Sequence, residues 1–271
     1  MIIKEFRIVL PISVEEYQLA YRWSVTEANK NETGGGEGVE WVINEPREND
    51  EHGKHQYTHK IYHLLSKAPS IIRKLAPSGS LQVHGRSFNG YPYCKTIITN
   101  EYMKDSFLVS IESKHVSDFG KIENIFGLSK DDLDKRQVIN VDIVNNPVDS
   151  RYYTANTDPK EFTFSRDGIA RGPLVEDWME KLKQKDSAQP HMCVYKLVKC
   201  NFMWRGLQEV MENMIMKFYG RLFLNFHRQV YCSMKEWYGV GMDDVLTKEE
   251  KTKVELNEMR NIGTVQGMTE K

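Results

Sequence analysis

Alternation of apolar and polar residues along much of the chain predicts a protein rich in β-strands. The first such segment, residues 2–10, ends at Pro11. Similar segments follow at residues 39–44, 55–64, 80–88, 91–99, 107–115, 137–144 and 191–204. Short strands at this spacing predict a sheet that is mostly antiparallel.

Helical patterns occur near the start of the chain and along its last third. Ser13 and Glu16 form a capping box, S-x-x-E, which opens a helix with apolar residues at helical spacing. Residues 206–237 carry one apolar stripe and predict a long amphipathic helix, formed by Leu207, Met211, Met214, Phe218, Leu222 and Phe226. A second helix is expected at about 242–260, before a loose tail.

Two shorter helices are expected, at residues 68–75 and 174–185, whereas residues 145–171 are typical of a long loop. Strands that precede a long terminal helix indicate an α+β fold. We expect a single domain over residues 1–271, because the chain shows no repeat, no low-complexity segment and no linker.

Composition narrows the class of protein. The 271 residues are 28% charged and 40% hydrophobic, with a formal net charge of -1, which argues against nucleic-acid binding through phosphate neutralisation. The start of the chain has no secretory pattern, and no segment has the length of a membrane span. The cysteines form neither a CxxC pair nor a zinc spacing, so reduced thiols in the cytoplasm are expected for Cys94, Cys193, Cys200 and Cys232.

Motifs for catalysis or metal binding are weak. The glycine-rich NETGGGEG turn (residues 31–38) lacks the Lys-Ser/Thr of a phosphate-binding loop, and no GxSxG elbow occurs. His59 and His63 share one strand face, but two histidines without a nearby third ligand make a poor metal site. The sequence therefore predicts neither an enzyme, nor a metal site, nor a cofactor.

Lys196 is the most informative polar residue, because it interrupts an apolar strand face. Alternate residues from Met192 to Trp204 share that face, and all of them except Lys196 are apolar. An ammonium group is costly to bury without a partner. Either an anion from the fold or a ligand meets it, or the strand has a solvated face and the lysine reaches water.

Other polar residues fall on faces that look inward. Lys60 and Thr58 share a strand face with Tyr62, while Ser113 ends an apolar row. On later segments, Cys94 and Thr96 share a face, and Glu249 lies on the apolar stripe of the last helix. These groups could form internal salt bridges or line a polar chamber at one end of an apolar cavity, and composition does not decide between them.

Several longer motifs carry a resemblance to a known family. The segments NETGGGEGVE, QYTHKIYHL, YPYCKTIITNEYM, MCVYKLV and NFHRQ, with NEP, RGPL, NEMR and GMT, occur in order over nearly the whole chain. In these motifs the chain resembles the class I phosphatidylinositol transfer proteins.

The resemblance implies a START-like helix-grip fold, in which a curved antiparallel sheet wraps a long helix around one phospholipid. Residues 242–271 would act as a lid. The residues that match the inositol-contacting positions are Thr58, Lys60, Asn89 and Glu249. Those that match the phosphate-contacting positions are Thr96, Ser113, Lys196 and, where the family has a glutamine, Tyr21. Cys94 matches the thiol in the pocket, and Trp204 with Arg205 matches the membrane-docking loop.

Three positions depart from the family pattern. Tyr21 replaces an amide, Ser113 replaces a threonine, and Trp204-Arg205 replaces a pair of tryptophans, which leaves one indole for the membrane interface. Arg205 could instead favour anionic lipid surfaces. Ser165, followed by Arg166, lies near the loop serine that is phosphorylated in the family.

The expected function is exchange of phosphatidylinositol for phosphatidylcholine between membranes by a monomer that binds membranes transiently. Covering two acyl chains of about sixteen carbons recovers roughly 25 kcal/mol at about 0.8 kcal/mol per CH₂, which favours an enclosed cavity. The alternative is a lipid sensor or presenting adaptor that supplies phosphatidylinositol to inositol-lipid kinases with weak bulk transfer.

Overall fold

The computed structural model describes residues 1–68, 70–75, 77, 81–184 and 189–267. Ser80 of the expected strand at 80–88, Lys185 of the expected helix at 174–185 and residues 268–271 of the tail lie outside the described residues. So do the last two residues of the GMT motif.

Eight strands form one large sheet. In chain order they are β1 (Ile2–Leu10), β2 (Gly38–Asn49), β3 (Gly53–His63), β4 (Gln82–Gly90), β5 (Tyr93–Thr99), β6 (Phe107–Val116), β7 (Arg136–Val141) and β10 (Met192–Phe202). Their order across the sheet is β2-β3-β4-β5-β6-β10-β1-β7. All neighbours are antiparallel except β1 and β7, so the mostly antiparallel α+β fold is confirmed.

Seven α-helices accompany the sheet in the described residues. They are α1 (Val14–Asn31), α2 (Ser70–Leu75), α3 (Lys130–Lys135), α4 (Trp178–Leu182), α5 (Gln208–Cys232), α6 (Met234–Trp237) and α7 (Met242–Arg260). The capping box at the start of α1 is confirmed: Glu16 N–H donates to Ser13 Oγ at 3.1 Å, and Ser13 N–H donates to the Glu16 carboxylate at 2.7 Å. In the described part of the chain, no helix has the length and apolar character needed to cross a bilayer.

The main core lies where α5 crosses strands β1 and β10. Phe6 and Phe223 pack edge to face there, with ring centroids 5.2 Å apart. Strand β10 is buried on both of its faces, because the segment before α3 covers the outer one. Tyr195 on that outer face donates its hydroxyl to Asp118 at 2.6 Å, so the face that holds Lys196 is free to look inward.

Several element boundaries differ from those expected. The helix expected at 206–237 is interrupted, because the Ser233 hydroxyl donates to the carbonyl of Gln229 at 2.6 Å and α6 follows as a separate turn. The strand expected at 137–144 ends at Val141, where the Asp142 side chain accepts bonds from the backbone of the turn. The expected surface helix is only the short α4.

The expected long loop contains a small hairpin of β8 (Phe164–Arg166) and β9 (Ile169–Arg171). Its turn residues, Asp167 and Gly168, have φ values of +52° and +77°. An Asp-Gly pair with both residues in this conformation forms the turn that best matches the twist of a two-residue hairpin, so the loop assignment there was wrong.

Candidate functional site

A cavity of about 540 Å³ lies between the sheet and three helices, α1, α5 and α7. This is within the range of roughly 300–1,000 Å³ that is typical of ligand sites. Every residue that the sequence assigned to the lipid head group or phosphate borders it, as does Cys94. The interior is therefore hollow, and the polar residues predicted to look inward do so.

The register of the sheet brings the polar residues together. Residues directly opposite each other on neighbouring strands share a face. One continuous cross-strand row therefore runs through Gln56, Asn89, Cys94, Ser113 and Lys196. The next row on the same face runs through Asn44, Thr58, Ser87, Thr96 and Ile111.

The following row across the strands is already less polar. It runs through Trp41, Lys60, Gly85, Ile98, Val109 and Cys200. Beyond it, the cavity is bordered by Tyr62, Val83, Phe107 and Phe202, and by the apolar stripe of α5 from Met211 to Phe218. The cavity thus changes from polar to apolar along the strands, as an amphipathic ligand requires.

Lys196 has no carboxylate within ion-pair distance in the described part of the chain. Its Nζ donates to Ser113 Oγ at 3.1 Å and lies 5.7 Å and 5.2 Å from the ring centroids of Tyr21 and Phe223. Burial lowers the pKa of the ammonium to about 8. The expected alternative in which Lys196 reaches water along a solvated face is wrong, because the side chain is only 6% exposed.

Lys60 is the second buried cation of the cavity. Its Nζ lies 4.1 Å from the centroid of the Trp41 ring, a cation–π distance. Burial lowers its pKa to about 7, an effect that Glu249 and Cys94 oppose only in part. Neither lysine has a neutralising partner among the described residues, so the site favours an anionic ligand.

Glu249 projects from α7 toward the polar end of the cavity, as its position on the apolar stripe predicted. Both of its oxygens accept bonds from Arg22 of α1, at 2.8 Å and 2.7 Å, and Asn44 donates to one of them at 3.3 Å. A bidentate guanidinium–carboxylate pair fixes both partners in position. Glu249 therefore joins α7 to α1 at the polar end of the cavity.

The remaining predicted residues carry polar groups that face the cavity. The Thr58 hydroxyl donates to Asn44 Oδ1 at 2.9 Å, and the hydroxyls of Ser87 and Thr96 are 2.9 Å apart. The hydroxyl of Tyr21 has no hydrogen-bond partner among the described residues. Burial raises the pKa values of both Tyr21 and the Cys94 thiol, so both stay protonated at neutral pH.

A second set of contacts holds the end of the chain against the glycine-rich turn. Gly35 N–H donates to the carbonyl of Ile262 at 2.9 Å, and Gly36 N–H donates to that of Arg260 at 2.6 Å. A Cβ atom on Gly35 would lie 2.4 Å from the backbone nitrogen of Val265. The absence of a side chain at Gly35 is what lets the tail approach this closely.

Among the residues that the structure describes, four ion pairs attach α7 to the rest of the protein. Besides Arg22–Glu249 they are Glu27–Lys248, Lys30–Glu255 and Glu40–Arg260. The buried face of α7 consists of Val245, Glu249, Thr252 and Leu256. The helix is thus a separate cover that is held largely by polar contacts.

Apolar side chains are exposed around the other end of the cavity. Trp204 borders the cavity and stacks on Phe202 at 6.1 Å, whereas Arg205 is exposed. Trp204 packs against a small apolar cluster formed by Ile72, Phe202 and Met211. The segments around this cluster also expose large apolar side chains, among them Leu65, Tyr102, Met203 and Val210. This end of the molecule therefore has an exposed apolar surface next to the cavity.

Ser165 lies on the exposed face of the hairpin formed by β8 and β9, outside the cavity. His59 and His63 lie away from the cavity and have different partners: His59 contacts His84 at 3.0 Å, and His63 contacts Glu40 at 2.9 Å. Within the described ranges, no group of three or more potential ligands could hold a metal ion.

Sequence reasoning missed Arg22, Asn44 and Ser87, which complete the polar end. Asn44 and Ser87 lie on strand faces that periodicity could have assigned, once the register with Thr58 was known. Arg22 gave no such signal, because a charged residue on a helix is most often solvated.

Comparison with known proteins identifies the family. Residues 1–254 match the family model described as phosphatidylinositol transfer protein. The chain is 47% identical to the human phosphatidylinositol transfer protein beta isoform over 268 residues, which cover 98% of this chain and 97% of that protein. It is 43% identical to phosphatidylinositol transfer protein 1 of Dictyostelium discoideum over 257 residues, or 94% of each chain. The chain therefore belongs to the phosphatidylinositol transfer protein family.

Proposed function

We propose that this protein carries one phosphatidylinositol or phosphatidylcholine molecule in the cavity and exchanges it between membranes. The observation that carries the proposal is the gradient along the sheet, from rows with two unneutralised ammonium groups to an apolar end beside α5. A phospholipid has the same sequence of groups. Membership of the family supports the same assignment.

The phosphodiester would lie near Lys196, Ser113, Thr96 and the hydroxyl of Tyr21. Lysine acts as a point charge toward phosphate, and the surrounding hydroxyls supply hydrogen bonds. Both cargo lipids contain this phosphodiester, so these residues would serve both.

The inositol ring would lie toward Thr58, Lys60, Asn89 and Glu249. A choline head group cannot satisfy their donors and acceptors, and buried polar groups left unpaired reduce affinity. Glu249 already accepts bonds from Arg22 and Asn44, so ring hydroxyls would share its oxygens with them.

Release would require α7 and the tail to move. Acyl chains covered by the protein would have to pass directly into a bilayer, since exposing them to water costs about 0.8 kcal/mol per CH₂. Docking of the end around Trp204, with Arg205 toward anionic lipid, would bring the apolar part of the cavity to the membrane. We propose no chemical change of the cargo, no metal or cofactor, a monomeric state and a cytoplasmic location with transient membrane contact.

The test compares Lys60→Ala with Cys94→Ala in liposome transfer assays, scored separately for the two lipids. Lys60→Ala is expected to reduce phosphatidylinositol transfer at least tenfold, the loss of about 1.4 kcal/mol, and to spare phosphatidylcholine. Cys94→Ala, which removes a neutral group from the same cavity, should change neither by more than about twofold. Equal losses of both lipids in Lys60→Ala would refute the inositol assignment.

Mass spectrometry of an organic extract of the purified protein tests the proposal as a whole. One phospholipid per protein is expected. The protein would not be a carrier if it contained no phospholipid and took up none from liposomes. Cargo with negligible exchange would instead favour the presenting adaptor that supplies inositol-lipid kinases.

A further inference from the structure

Trp41 of β2 lies inside the cavity, next to Lys60 of β3. The two residues are directly opposite each other in the register of the strands, and both border the cavity. The indole is only 4% exposed. The function proposed above gives this large aromatic side chain no role, although it contacts one of the two buried cations.

A β-bulge places Trp41 on the inner face of the sheet. Asn44, farther along β2, borders the cavity. Strict alternation along the strand would therefore turn Val42 inward and Trp41 outward. The register shifts between Trp41 and Ile43, so Val42 is an extra residue in the strand, and it is 39% exposed. Bulges re-aim side chains beside functional sites, and this one turns the indole toward the cavity.

The ring of Trp41 holds the Lys60 ammonium. Nζ lies 4.1 Å from the ring centroid, and within the described residues it has neither an ion pair nor a hydrogen bond. Glu249 of α7 and Cys94 of β5 favour the charged form of the lysine without contacting it directly. Both oxygens of Glu249 are already bound by Arg22 of α1. The contact with the indole therefore fixes the position of the ammonium.

Packing alone does not account for an indole at this position. The Nε1–H group of Trp41 is buried and has no hydrogen-bond partner among the described residues. A buried donor without a partner costs free energy, and phenylalanine or leucine would supply apolar surface without that cost. Tryptophan has the aromatic face that attracts a cation most strongly. The chemistry of the position thus favours a role for the face of the ring.

The helix that covers the cavity supports Trp41 from its other side. Trp41, Val39 and Leu256 form one buried apolar cluster, against which Tyr62 packs. Leu256 belongs to the buried face of α7. A closed α7 therefore fixes the indole that contacts Lys60.

From these observations we propose that Trp41 determines specificity for the inositol head group by positioning Lys60. This step rests on the proposed position of the inositol ring. A lysine that is already fixed donates to ring hydroxyls without a further loss of side-chain entropy. Phosphatidylcholine has no ring hydroxyls, so its binding does not depend on where the ammonium lies.

The ring also helps to keep Lys60 charged near neutral pH. Burial lowers the pKa of Lys60 to about 7. A cation–π contact favours the charged form, so its removal would lower this pKa further. Transfer of phosphatidylinositol should therefore decline as the pH rises through about 7, and without the indole the decline should occur at a lower pH.

The experiment measures liposome transfer of phosphatidylinositol and phosphatidylcholine by the full chain between about pH 6 and 8.5. The ratio of the two rates is the readout, because it cancels any common loss of folding or membrane docking. Trp41→Met removes the aromatic face, and Trp41→Phe, the conservative variant, keeps one. Phe107→Leu is the matched control, since it removes from the apolar part of the cavity a ring that has no cation contact among the described residues.

We expect the ratio of phosphatidylinositol to phosphatidylcholine transfer to fall about fivefold in Trp41→Met at pH 7. This is roughly 1 kcal/mol, within the range of a desolvated cation–π contact. The decline with pH should move down by about 0.7 of a pH unit, the same free energy expressed as a pKa. Trp41→Phe and Phe107→Leu should each keep the ratio within about twofold.

A double variant separates positioning from packing. If the indole acts through Lys60, adding Trp41→Met to Lys60→Ala should leave the lipid ratio of Lys60→Ala unchanged. A further fall of the ratio in the double variant would overturn the proposal. A ratio that rises in Trp41→Met, because phosphatidylcholine transfer is lost selectively, would assign the ring to the choline group and would overturn it as well.

Failure of the underlying function would look different. A selective loss of phosphatidylinositol in Lys60→Ala, with an unchanged ratio and pH profile in Trp41→Met, would overturn the role of Trp41 alone. Equal losses of both lipids in Lys60→Ala would overturn the proposed position of the inositol ring. If Trp41→Met takes up no phosphatidylcholine, the pH profile of Trp41→Phe decides: a midpoint below that of the unaltered protein supports the proposal, and an identical midpoint overturns it.

Discussion

Replacing Lys196 with methionine should make the lipid-free protein more stable and at the same time prevent transfer of both lipids. In the folded protein the ammonium is buried beside Tyr21 and Phe223, without a carboxylate partner among the described residues. The fall of its pKa from 10.5 to about 8 corresponds to roughly 3 kcal/mol, because one pKa unit is worth about 1.4 kcal/mol. That free energy opposes folding at pH 7.

Methionine has a similar length and no charge, so Lys196→Met removes this cost. It also removes the hydrogen bond to Ser113, worth about 1 kcal/mol. The net expectation is a gain of roughly 2 kcal/mol in the free energy of unfolding. At about 2–4 °C per kcal/mol for a chain of this size, the Tm should rise by about 4–8 °C.

The assay is thermal and urea unfolding of delipidated protein, in parallel with liposome transfer of both lipids. Lys199→Met is the matched control. It lies on the same strand but faces outward, where its Nζ pairs with Asp132 at 2.7 Å. This control should gain no stability and should keep its transfer activity. The reasoning fails if delipidated Lys196→Met is less stable than the unaltered protein, or if it transfers either lipid normally.

Three further predictions concern the lid and the second lysine. Gly35→Ala should release the tail, because the added Cβ would lie 2.4 Å from the backbone nitrogen of Val265, and hydrogen exchange at residues 260–267 should rise. Gly36→Ala is the control, because Gly36 also has a positive φ but no atom lies within 4 Å of the added Cβ. It should leave that exchange unchanged. Glu249→Gln should lower the free energy of unfolding by on the order of 3 kcal/mol, because it leaves the Arg22 guanidinium without its counter-charge. Adding Arg22→Leu to this variant should restore most of the lost stability. Additive losses of the two substitutions in urea unfolding would contradict the pairing. Between about pH 7 and 8.5, delipidated protein should gain stability relative to Lys60→Met as the pH rises, by up to about 1.4 kcal/mol per pH unit. The reason is that the unfolded lysine keeps its proton up to about 10.5, whereas the folded one loses it near 7. A pH-independent difference would show that folding does not lower the pKa of Lys60.

Periodicity alone predicted much of the secondary structure and several residues of the cavity. Strands with one consistent face placed Lys60, Thr96 and Lys196 inward, because side chains alternate along a strand whatever the sheet around it. The spacing of α7 placed Glu249 on its buried side for the same kind of reason. Local competition for hydrogen bonds was harder to predict, as at Ser233, where one hydroxyl interrupts a helical pattern that continues in the sequence.

The sequence by itself determined that cations and hydroxyls share strand and helix faces with apolar residues, and the family motifs implied which ligand they would meet. Only the tertiary structure decided how they are arranged. Strand register depends on pairings far apart in the chain, and it alone aligns Gln56, Asn89, Cys94, Ser113 and Lys196 in one row. The bond between Arg22 and Glu249 joins residues 227 positions apart, so no local pattern could reveal it.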